Sequence, residues 1–282
     1  YEIQTPNFFY MDPQGNFGFV SEGGGGAALP VMETIDKVIP QANQWPYNVG
    51  ENLNVWNYHA CRATFNNFNQ LAGLVDNTYG PSESVEEFVF RSQLLQYDTQ
   101  RAQYEAMSYH RFTEATGIIS WMYNAPWSSF YWNQFDYLLN PHGGTYGTAK
   151  GSEPVHIFYN TYDKSVHVTN ATLNEYKGLT ATLSIYDING DVISNELSKS
   201  FDLGGAGIGD TTNTPVAKKV GFTVNGEGEL EDLTYEYGGR ITKDSGLEKM
   251  WDYDEIMGSL SKPTSDIYFL RLELRDVGLL SE

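Results

Sequence analysis

Two stretches of the sequence bring together side chains that could carry out chemistry. Glu22 stands at the end of a short run, residues 16–22, and four glycines, residues 23–26, follow it directly. Residues 121–137 hold three tryptophans together with amide and carboxylate side chains. A carboxylate can act as an acid, a base or a nucleophile when a partner group is near. Flat aromatic rings beside hydrogen-bonding groups are typical of a site that binds a pyranose ring.

Predicted strands lie at the start of both stretches. The run that ends at Glu22 is largely apolar and predicts a short buried strand. Residues 118–122 predict a second strand, with helices between the two. Strand, helices, strand is the repeat of an α/β barrel, whose catalytic groups gather at the carboxyl ends of its strands. We therefore expect Glu22 and residues 121–137 to lie at the same end of one barrel.

One such repeat cannot close a barrel. A complete (β/α)8 barrel needs ~250 residues, so the other strands are expected before Tyr1. The chain begins Tyr1-Glu2-Ile3, without an initiator Met, a basic n-region or a signal sequence. We interpret it as a processed or partial piece of a longer protein. Asn170-Ala171-Thr172 is a sequon for N-glycosylation, which matters only in a eukaryotic secreted protein.

Helix signals between the two predicted strands are uneven. A helix is predicted over residues 31–39, with Pro30 at its first position and Pro40 ending it. Residues 41–60, rich in Asn, Trp and Tyr, are predicted to be irregular.

A long helix is predicted to begin near Ser84, where Glu87 completes a capping box. Thr116-Gly117 is predicted to close the helical region before the second strand. The buried face of the long helix is expected to consist of Val85, Phe88, Val89, Leu95, Ala102 and Ala106.

After about residue 150 the pattern changes to short segments that alternate with period two. Turn signals, among them Asp163-Lys164 and Asn189-Gly190, separate them. The predicted strands are residues 155–159, 165–169, 179–186, 216–224 and 267–274. Strands at this spacing favour an antiparallel β-sandwich of immunoglobulin type. The fold class is therefore α/β plus all-β: residues 1–150 are the C-terminal part of a TIM barrel, and residues 151–282 are an immunoglobulin-like β-sandwich whose completeness is left open.

Composition excludes several classes of function. The 282 residues carry a formal net charge of −19, the opposite of what a nucleic-acid or an anionic membrane surface requires. No run of ~18 apolar residues predicts a membrane span. An acidic surface suits a cationic ligand, although solubility is the simpler reason for it. Aromatic residues make up 15%, which fits an aromatic core as well as sugar binding.

No metal or cofactor is predicted. Cys61 is the only cysteine, so neither an intrachain disulfide nor a cysteine metal cluster is expected. Residues 187–191 have the alternate acidic spacing of a calcium loop, but the Glu that completes such a loop is missing and a hairpin turn explains them better. The histidines show no metal-binding spacing, and His156 and His167 are predicted to be structural.

The glycines after Glu22 formally fit a dinucleotide-binding fingerprint, G-x-G-x-x-A, over residues 23–28. That interpretation is rejected because Glu22 would place a negative charge beside the pyrophosphate and Pro30 delays the helix. A Walker loop is excluded because no Lys-Ser or Lys-Thr follows, and no G-x-S-x-G elbow of a serine hydrolase is present.

Residues 17–22, Phe-Gly-Phe-Val-Ser-Glu, carry a family resemblance. They are similar to the nucleophile strand of glycoside hydrolase family 2, and most of all to its exo-β-D-glucosaminidases and their β-mannosidase relatives. The resemblance runs from residue 1 to about residue 190. The other segments that resemble the family, in the same order, are residues 5–10, 56–59, 93–97, 101–106 and 121–137, Gly147 and residues 153–156. One departure is local, since four glycines replace the usual Thr-Ser-like residues after the nucleophile.

The resemblance implies a retaining exo-glycosidase built on a barrel flanked by β-sandwiches. Glu22 would be its nucleophile, and Trp121 the platform under the sugar that is cleaved. The further substrate contacts that it implies are Asn124, Trp127, Trp132, Tyr58 and His59.

A retaining glycosidase also needs a second carboxyl group ~5–5.5 Å from the nucleophile as acid/base. In this family that group comes from an earlier barrel strand, so we expect it in the part of the same enzyme that precedes this chain. Neither Asp136 nor Glu33 is assigned the role, because the first is expected to orient the tryptophan loop and the second lies inside a predicted helix.

The implied substrate is the terminal glucosamine of chitosan or its oligosaccharides, and the implied location is extracellular. Two alternatives stay open. The protein is a β-mannosidase or another family 2 exo-glycosidase, or it is a non-catalytic carbohydrate-binding module that uses Trp121, Trp127 and Trp132 without turnover.

Overall fold

A computed structural model describes residues 5–11, 18–24, 29–60, 68–111, 115–130, 132–205, 220–224, 230–235, 246–263 and 267–276. The chain divides into two compact units, residues 1–107 with 117–153 and residues 108–116 with 154–282. The predicted division after residue 150 lies close to the boundary between residues 153 and 154. Cys61 lies outside the described residues.

The first unit combines helices with two strands. Its elements are α1 (Pro6–Tyr10), β1 (Gly18–Gly23), α2 (Met32–Val38), a 3-10 turn (Gln41–Asn43), α3 (Gly50–His59), α4 (Phe68–Tyr79), α5 (Val85–Tyr109), β2 (Ala115–Ser120) and α6 (Gly143–Gly151). The strand β2 is included because it pairs with β1. Both predicted strands and both predicted helices are present. The strands were predicted to be buried, and that was wrong, since Phe19 in β1 and Ile119 in β2 are 59% and 54% exposed. The helix predicted from Pro30 begins at Met32, with Val31 at its N-cap.

Two parts of the secondary-structure prediction were wrong. Residues 41–60 are not irregular, since they contain the 3-10 turn and the whole of α3. The sequence hides α3 because its apolar residues are few and it begins at Gly50 with φ +49°. Thr116-Gly117 does not close the helical region but lies inside β2.

The strands β1 and β2 are hydrogen-bonded neighbours, and they run parallel. A Cβ at Gly117 would touch the ring of Phe19 at 2.8 Å, and the Trp121 N–H donates to the Gly23 carbonyl at 2.7 Å. The same 98 positions separate 19 from 117 and 23 from 121. Contacts that advance together along both strands are those of a parallel pair, whose carboxyl ends therefore lie side by side.

An aromatic core holds the helices of the first unit together. The rings of Trp56 and Phe68 lie 4.8 Å apart, and Phe68 meets Phe88 edge-on at 5.6 Å. All three side chains are fully buried. The predicted face of α5 is confirmed, since Val85, Phe88, Val89, Leu95, Ala102 and Ala106 are all buried.

The cap of α5 is half of the predicted capping box. The Glu87 N–H donates to the Ser84 hydroxyl at 3.2 Å, as the motif requires. The Glu87 carboxylate, however, accepts from the Glu83 N–H at 2.7 Å and pairs with Arg91 at 2.5 Å. The helix therefore begins at the predicted place.

The helix α6, which the sequence did not predict, packs against α5 through glycines. A Cβ on Gly143, Gly147 or Gly151 would lie 2.0, 2.2 or 2.7 Å from the carbonyl oxygens of Gln93, Tyr97 and Arg101 respectively. The spacing is four residues on both helices, so one face of α6 meets one face of α5. A glycine-rich segment has low helix propensity, and the close approach to α5 explains why it is helical here.

The second unit is built mainly of antiparallel strands. Its elements after residue 154 are β3 (Val155–Asn160), β4 (Ser165–Asn170), β5 (Tyr176–Tyr186), β6 (Leu197–Leu203), β7 (Val220–Val224), β8 (Leu230–Tyr235), β9 (Leu247–Trp251), α7 (Tyr253–Gly258) and β10 (Phe269–Asp276). The sheets have the strand orders β10-β5-β6, β3-β4-β9 and β7-β8.

The two three-stranded sheets share one hydrophobic core. Its buried side chains include Val166, Val168, Leu179, Ala181, Leu183, Ile185, Met250 and Trp251. The predicted strands are confirmed where the structure describes them; residues 216–219 of the fourth lie outside the described part. Residues 197–262 add β6 and β9, which the sequence did not predict and which complete both sheets.

Turns occur where the dipeptides predicted them. Lys164, between β3 and β4, has φ +56°, and Gly190 after β5 has φ +85°. The Asp187 N–H donates to the Asp191 carbonyl at 2.9 Å, which closes the hairpin. His156 and His167 are buried in β3 and β4, as expected of structural residues.

None of the described helices combines the length and apolarity that crossing a bilayer requires.

Candidate active site

Glu22 is the penultimate residue of β1 and is exposed. It directly precedes Gly23, whose carbonyl accepts from the Trp121 N–H just after β2. Within the described ranges its carboxylate has no hydrogen bond or ion pair. The side chain is therefore accessible at the carboxyl end of the parallel pair, where the sequence analysis placed it.

The first two glycines after Glu22 have a steric reason that the sequence did not reveal. A Cβ at Gly23 would lie 2.4 Å from the Ile118 side chain, and one at Gly24 would lie 2.5 Å from the Trp121 carbonyl oxygen. Only glycine allows the two chain segments to come this close. Gly25 and Gly26 lie outside the described residues.

Trp121 directly follows β2, and 43% of its surface is exposed. Its N–H bond to the Gly23 carbonyl ties the start of the tryptophan loop, residues 121–137, to the end of the Glu22 strand. The structure thus brings Glu22 and Trp121 to neighbouring strand ends. Asn124, three residues further on, is exposed.

Backbone hydrogen bonds fold the tryptophan loop back on itself. The Met122 N–H donates to the Trp132 carbonyl at 2.5 Å, and the Gln134 N–H donates to the Met122 carbonyl at 2.9 Å. The Gln134 amide also donates to the Ser120 hydroxyl at 3.0 Å. The loop is therefore anchored to β2 at both of its ends.

Trp132 differs from the other two tryptophans of the loop. Its side chain is half-buried and packs against the core of the first unit, and its backbone has φ +62°. It was predicted to contact substrate, and the structure places much of its ring in the core instead.

Asp136 supports the loop from inside. Its buried carboxylate accepts hydrogen bonds from the Thr34 hydroxyl at 2.5 Å and from two backbone N–H groups, those of Leu138 and Asn140, at 2.9 Å each. Glu33 lies in α2 on the surface, where it pairs with Lys37 at 2.8 Å. Both carboxylates have the places that the sequence analysis gave them.

Tyr58, His59 and Trp127 form a second group of predicted residues that are in contact. Tyr58 and Trp127 are 68% and 37% exposed. Their ring centroids lie 5.6 Å apart, with 69° between the ring planes. His59, at 6% exposure, lies beneath them.

The His59 ring stacks with two aromatic rings of the tryptophan loop. Its centroid lies 6.2 Å from that of Trp127, with 21° between the planes, and 4.9 Å from that of Phe130, with 17°. Its Nδ1 lies 2.8 Å from the Ser128 carbonyl oxygen. Burial lowers the pKa of His59, and the carbonyl groups of Ser128 and Val38 beside the ring act in the opposite direction.

His142, which the sequence analysis left without a role, is fully buried at the N-terminus of α6. Burial lowers the pKa of its imidazole to about 4, against the opposing effects of the Asp136 charge and a hydrogen bond to the Asn133 backbone. No local pattern in the sequence marks His142 as a buried residue. Within the described part of the chain, no cluster of three or more His, Cys, Asp or Glu could hold a metal ion.

Comparison with known proteins identifies relatives of the chain. It is 31% identical over 226 residues to an exo-β-D-glucosaminidase of Amycolatopsis orientalis, which covers 76% of this chain and 21% of that protein. An exo-β-D-glucosaminidase of Hypocrea jecorina is 32% identical over 205 residues, 70% of this chain and 23% of that protein. The chain is a homologue of the exo-β-D-glucosaminidases. The predicted resemblance to their branch of glycoside hydrolase family 2 is thereby confirmed.

A more distant relative is the mannosylglycoprotein endo-β-mannosidase of Lilium longiflorum, 27% identical over 202 residues, 67% of this chain and 21% of that protein. The chain spans 21–23% of the length of these three glycoside hydrolases. No protein-family model matches the chain.

Solved structures agree with these relatives. The exo-chitosanase CsxA of Amycolatopsis orientalis superposes with a TM-score of 0.72 at 24% identity, covering 99% of this chain and 28% of that one. A complex of a CsxA variant with PNP-β-D-glucosamine has a TM-score of 0.66 at 27% identity, covering 85% of this chain and 30% of that one. The arrangement of helices and sheets is therefore that of a known glycoside hydrolase over the matched residues.

Proposed function

We propose that this chain is the part of a retaining exo-β-D-glucosaminidase that supplies the catalytic nucleophile, Glu22. The observation that carries the proposal is the pairing of two strand ends, where an accessible carboxylate on β1 lies next to an exposed tryptophan that follows β2. The proposed architecture is the C-terminal part of a (β/α)8 barrel, followed by an immunoglobulin-like sandwich. The parallel β1–β2 pair and the two sheets with one core support it.

The proposed reaction has two displacements at the anomeric carbon. A Glu22 oxygen attacks that carbon, the bond to the leaving-group oxygen breaks, and a second carboxylic acid protonates that oxygen. The resulting glycosyl ester of Glu22 is attacked by water, whose proton passes to the second carboxylate. The sugar leaves with its β configuration retained and Glu22 is again ionised.

Trp121 is the proposed platform for the sugar that is cleaved. An indole ring can cover the apolar face of a pyranose, and its position after β2 lies beside the β1 end that carries Glu22. Asn124, exposed in the same loop, is proposed as a donor or acceptor for a sugar hydroxyl.

The second carboxyl group is proposed to come from the preceding part of the same enzyme. Asp136 cannot supply it, because its carboxylate already accepts three hydrogen bonds and is buried. We therefore expect the isolated 282-residue chain to bind sugar weakly and to hydrolyse no glucosaminide. Turnover of a nitrophenyl glucosaminide by the isolated chain would contradict this division of the active site.

Glucosamine is the proposed sugar because the relatives from Amycolatopsis orientalis and Hypocrea jecorina are named for it and a matching structure holds a glucosamine derivative. A net charge of −19 also favours encounter with a polycation. The second candidate is a β-mannosidase, which the lily relative favours. Hydrolysis rates of the full protein on matched glucosaminide, mannoside and galactoside substrates decide between them, and binding without hydrolysis of any would favour a non-catalytic module.

Replacing Glu22 tests the nucleophile directly. In the full enzyme, Glu22→Gln is expected to lower kcat by at least about 10³-fold while substrate still binds, because the amide cannot form the ester. Glu33→Gln is the matched control, since it removes a surface carboxylate paired only with Lys37. Unchanged turnover in Glu22→Gln would remove Glu22 from the mechanism.

We also propose that the full protein is secreted, because a chitosan polymer outside the cell is the substrate that this activity would meet. Fractionation of the producing cells tests the proposal, and protein confined to the cytoplasm would contradict it.

A further inference from the structure

The predicted sugar contacts Tyr58 and Trp127 lie apart from Trp121 in the sequence yet form one structure with each other. Tyr58 belongs to the last turn of α3, and Trp127 lies in the middle of the tryptophan loop. Their rings meet at 69° with centroids 5.6 Å apart, and both remain partly exposed. We call this pair the aromatic corner. One ring of such a corner can lie under the face of a pyranose while the other flanks its edge.

His59 builds the corner without being exposed in it. Its imidazole stacks on the rings of both Trp127 and Phe130, with near-parallel planes. The Phe130 N–H donates to the His59 carbonyl at 2.9 Å, so the backbone of α3 also holds the loop. Since only 6% of His59 is exposed, direct contact between its ring and a sugar has little surface to use.

The polar edge of the imidazole fixes the loop in a second direction. Nδ1 of His59 lies 2.8 Å from the Ser128 carbonyl oxygen and 3.1 Å from the Ser128 hydroxyl. Ser128 follows Trp127 directly, so the same ring stacks on the tryptophan and bonds to its neighbour. Stacking on the imidazole fixes the orientation of the Trp127 ring plane. The hydrogen bond from His59 to Ser128 fixes where Trp127 lies relative to the imidazole.

We propose that the aromatic corner of Tyr58 and Trp127 binds the second sugar ring of an oligosaccharide, and that His59 is the residue that positions it. This inference rests on the proposed function. An exo-acting enzyme cleaves the terminal ring, so a second bound ring belongs to the leaving group. The ligand is therefore the leaving-group sugar of a β-linked glucosamine oligosaccharide.

Two substrates with the same terminal sugar separate this site from the site of bond cleavage. A β-linked glucosamine disaccharide has a leaving-group ring, whereas β-glucosaminyl fluoride has only a fluoride ion as leaving group. In the full enzyme, Trp127→Ala is expected to lower the ratio of kcat/KM for the disaccharide to that for the fluoride by about tenfold, as loss of ~1.4 kcal/mol of transition-state binding does. Tyr146→Ala, which removes an exposed aromatic ring on α6, is the control and should leave the ratio unchanged.

Variants at His59 test the positioning role. His59→Ala should lower the same ratio, and the double variant with Trp127→Ala should lower it no further than Trp127→Ala alone, because both act through one ring. His59→Phe keeps the stack but loses the Ser128 bond, so it should restore part of the ratio. A merely structural role would instead lower kcat/KM for both substrates equally.

The outcomes distinguish a failure of the aromatic corner from a failure of the proposed glycosidase function. An unchanged ratio in Trp127→Ala, with both substrates turned over, would overturn the aromatic corner and leave the glycosidase standing. Additive effects of His59→Ala and Trp127→Ala would overturn the positioning role. An enzyme that hydrolyses neither substrate would overturn both the proposed function and this inference.

Discussion

Glu22, Glu33 and Asp136 carry the same functional group in three different surroundings. Glu33 is ion-paired on the surface of a helix, and Asp136 is buried and saturated with hydrogen bonds. Glu22 alone of the three is accessible at a strand end and, among the described residues, has no hydrogen-bonding partner. A nucleophile needs an ionised, accessible carboxylate. The surroundings of these three residues, rather than their type, therefore distinguish the candidate nucleophile from the two structural carboxylates.

His142 gives the first unit a dependence on pH. Its pKa is about 4 in the folded protein against an ordinary value of 6.5, so the unfolded chain binds the proton first as pH falls. The free energy of unfolding is therefore expected to fall by up to about 3 kcal/mol between pH 6.5 and pH 4 on account of this residue. Above pH 6.5 the contribution is constant.

Urea titrations at pH 7 and pH 4.5 measure this effect. His142→Asn places a good N-cap residue at the start of α6 and removes the titrating group. The drop in unfolding free energy between the two pH values should then be smaller in the variant than in the wild type. An equal drop in both proteins would assign the pH dependence to other groups.

Asn170 has the sequence of a glycosylation site but the surroundings of a structural residue. It is fully buried, and its Nδ2 donates to the carbonyls of Asn174 at 2.7 Å and Gly204 at 3.0 Å. Its Oδ1 accepts from the Thr172 N–H and hydroxyl. A glycan on Nδ2 would break these bonds and have no space.

We therefore expect folded protein from a glycosylating host to carry no glycan at Asn170. Mass spectrometry of the tryptic peptide before and after treatment with a glycan-cleaving amidase measures this. Folded, monodisperse protein with a glycan on Asn170 would show that the second unit tolerates the loss of these hydrogen bonds.

At the scale of elements, the contact between α5 and α6 helps to position the tryptophan loop, because α6 begins six residues after the loop ends. The glycines of α6 lie so close to carbonyl oxygens of α5 that a Cβ at these positions would overlap with the oxygens. Displacing α6 would also displace Gln134, which accepts from Thr145 through its backbone carbonyl. The loop is therefore positioned by helix packing as well as by its own hydrogen bonds.

Gly147→Ala tests this contact. The added methyl group would lie 2.2 Å from the Tyr97 carbonyl oxygen, so the variant should lose about 2 kcal/mol or more of unfolding free energy. Gly73→Ala in α4 is the control, because among the described residues no heavy atom outside its own helix backbone lies within 4 Å of a Cβ at that position. That variant should gain about 0.5–1 kcal/mol from reduced chain entropy. Equal urea midpoints for the two variants would contradict the close packing of α5 and α6.

How far the sequence predicts the fold depends on how local the signal is. The long helix α5 and the strands around β5 follow from periodicity, a capping residue and the Asn189-Gly190 turn, all of which act over a few residues. The helices α3 and α6 were missed because their stability comes from packing: α3 buries Trp56 in the core, and α6 fits its glycines to α5. Tertiary contacts override weak local propensity in both.

The candidate site also has features that the sequence predicts and features that it does not. Glu22 and Trp121 could be placed from the sequence, because Glu22 ends one predicted strand, Trp121 lies at the end of the other, and parallel strands bring their carboxyl ends together. The buried position of His59, the partial burial of Trp132 and the role of Gly23 and Gly24 depend on contacts between distant segments. No spacing within one sequence encodes such contacts.

At the scale of the whole molecule, the two units have different compositions of elements and separate hydrophobic cores. All the residues proposed to bind or cleave sugar lie in the first unit. The chain also spans 21–23% of the length of the three relatives described above. Glu22 is its proposed part of the catalytic pair, and the proposed role of Glu22 is covalent.

The most direct test of that claim is to trap the intermediate in the full protein. A fluorinated glucosaminyl fluoride that slows the second displacement should leave a glycosyl group on the enzyme, and mass spectrometry of its proteolytic peptides should place the added mass on Glu22. The label should be absent from Glu22→Gln. A label on any other carboxylate, or hydrolysis with inversion and no labelled intermediate, would contradict the account.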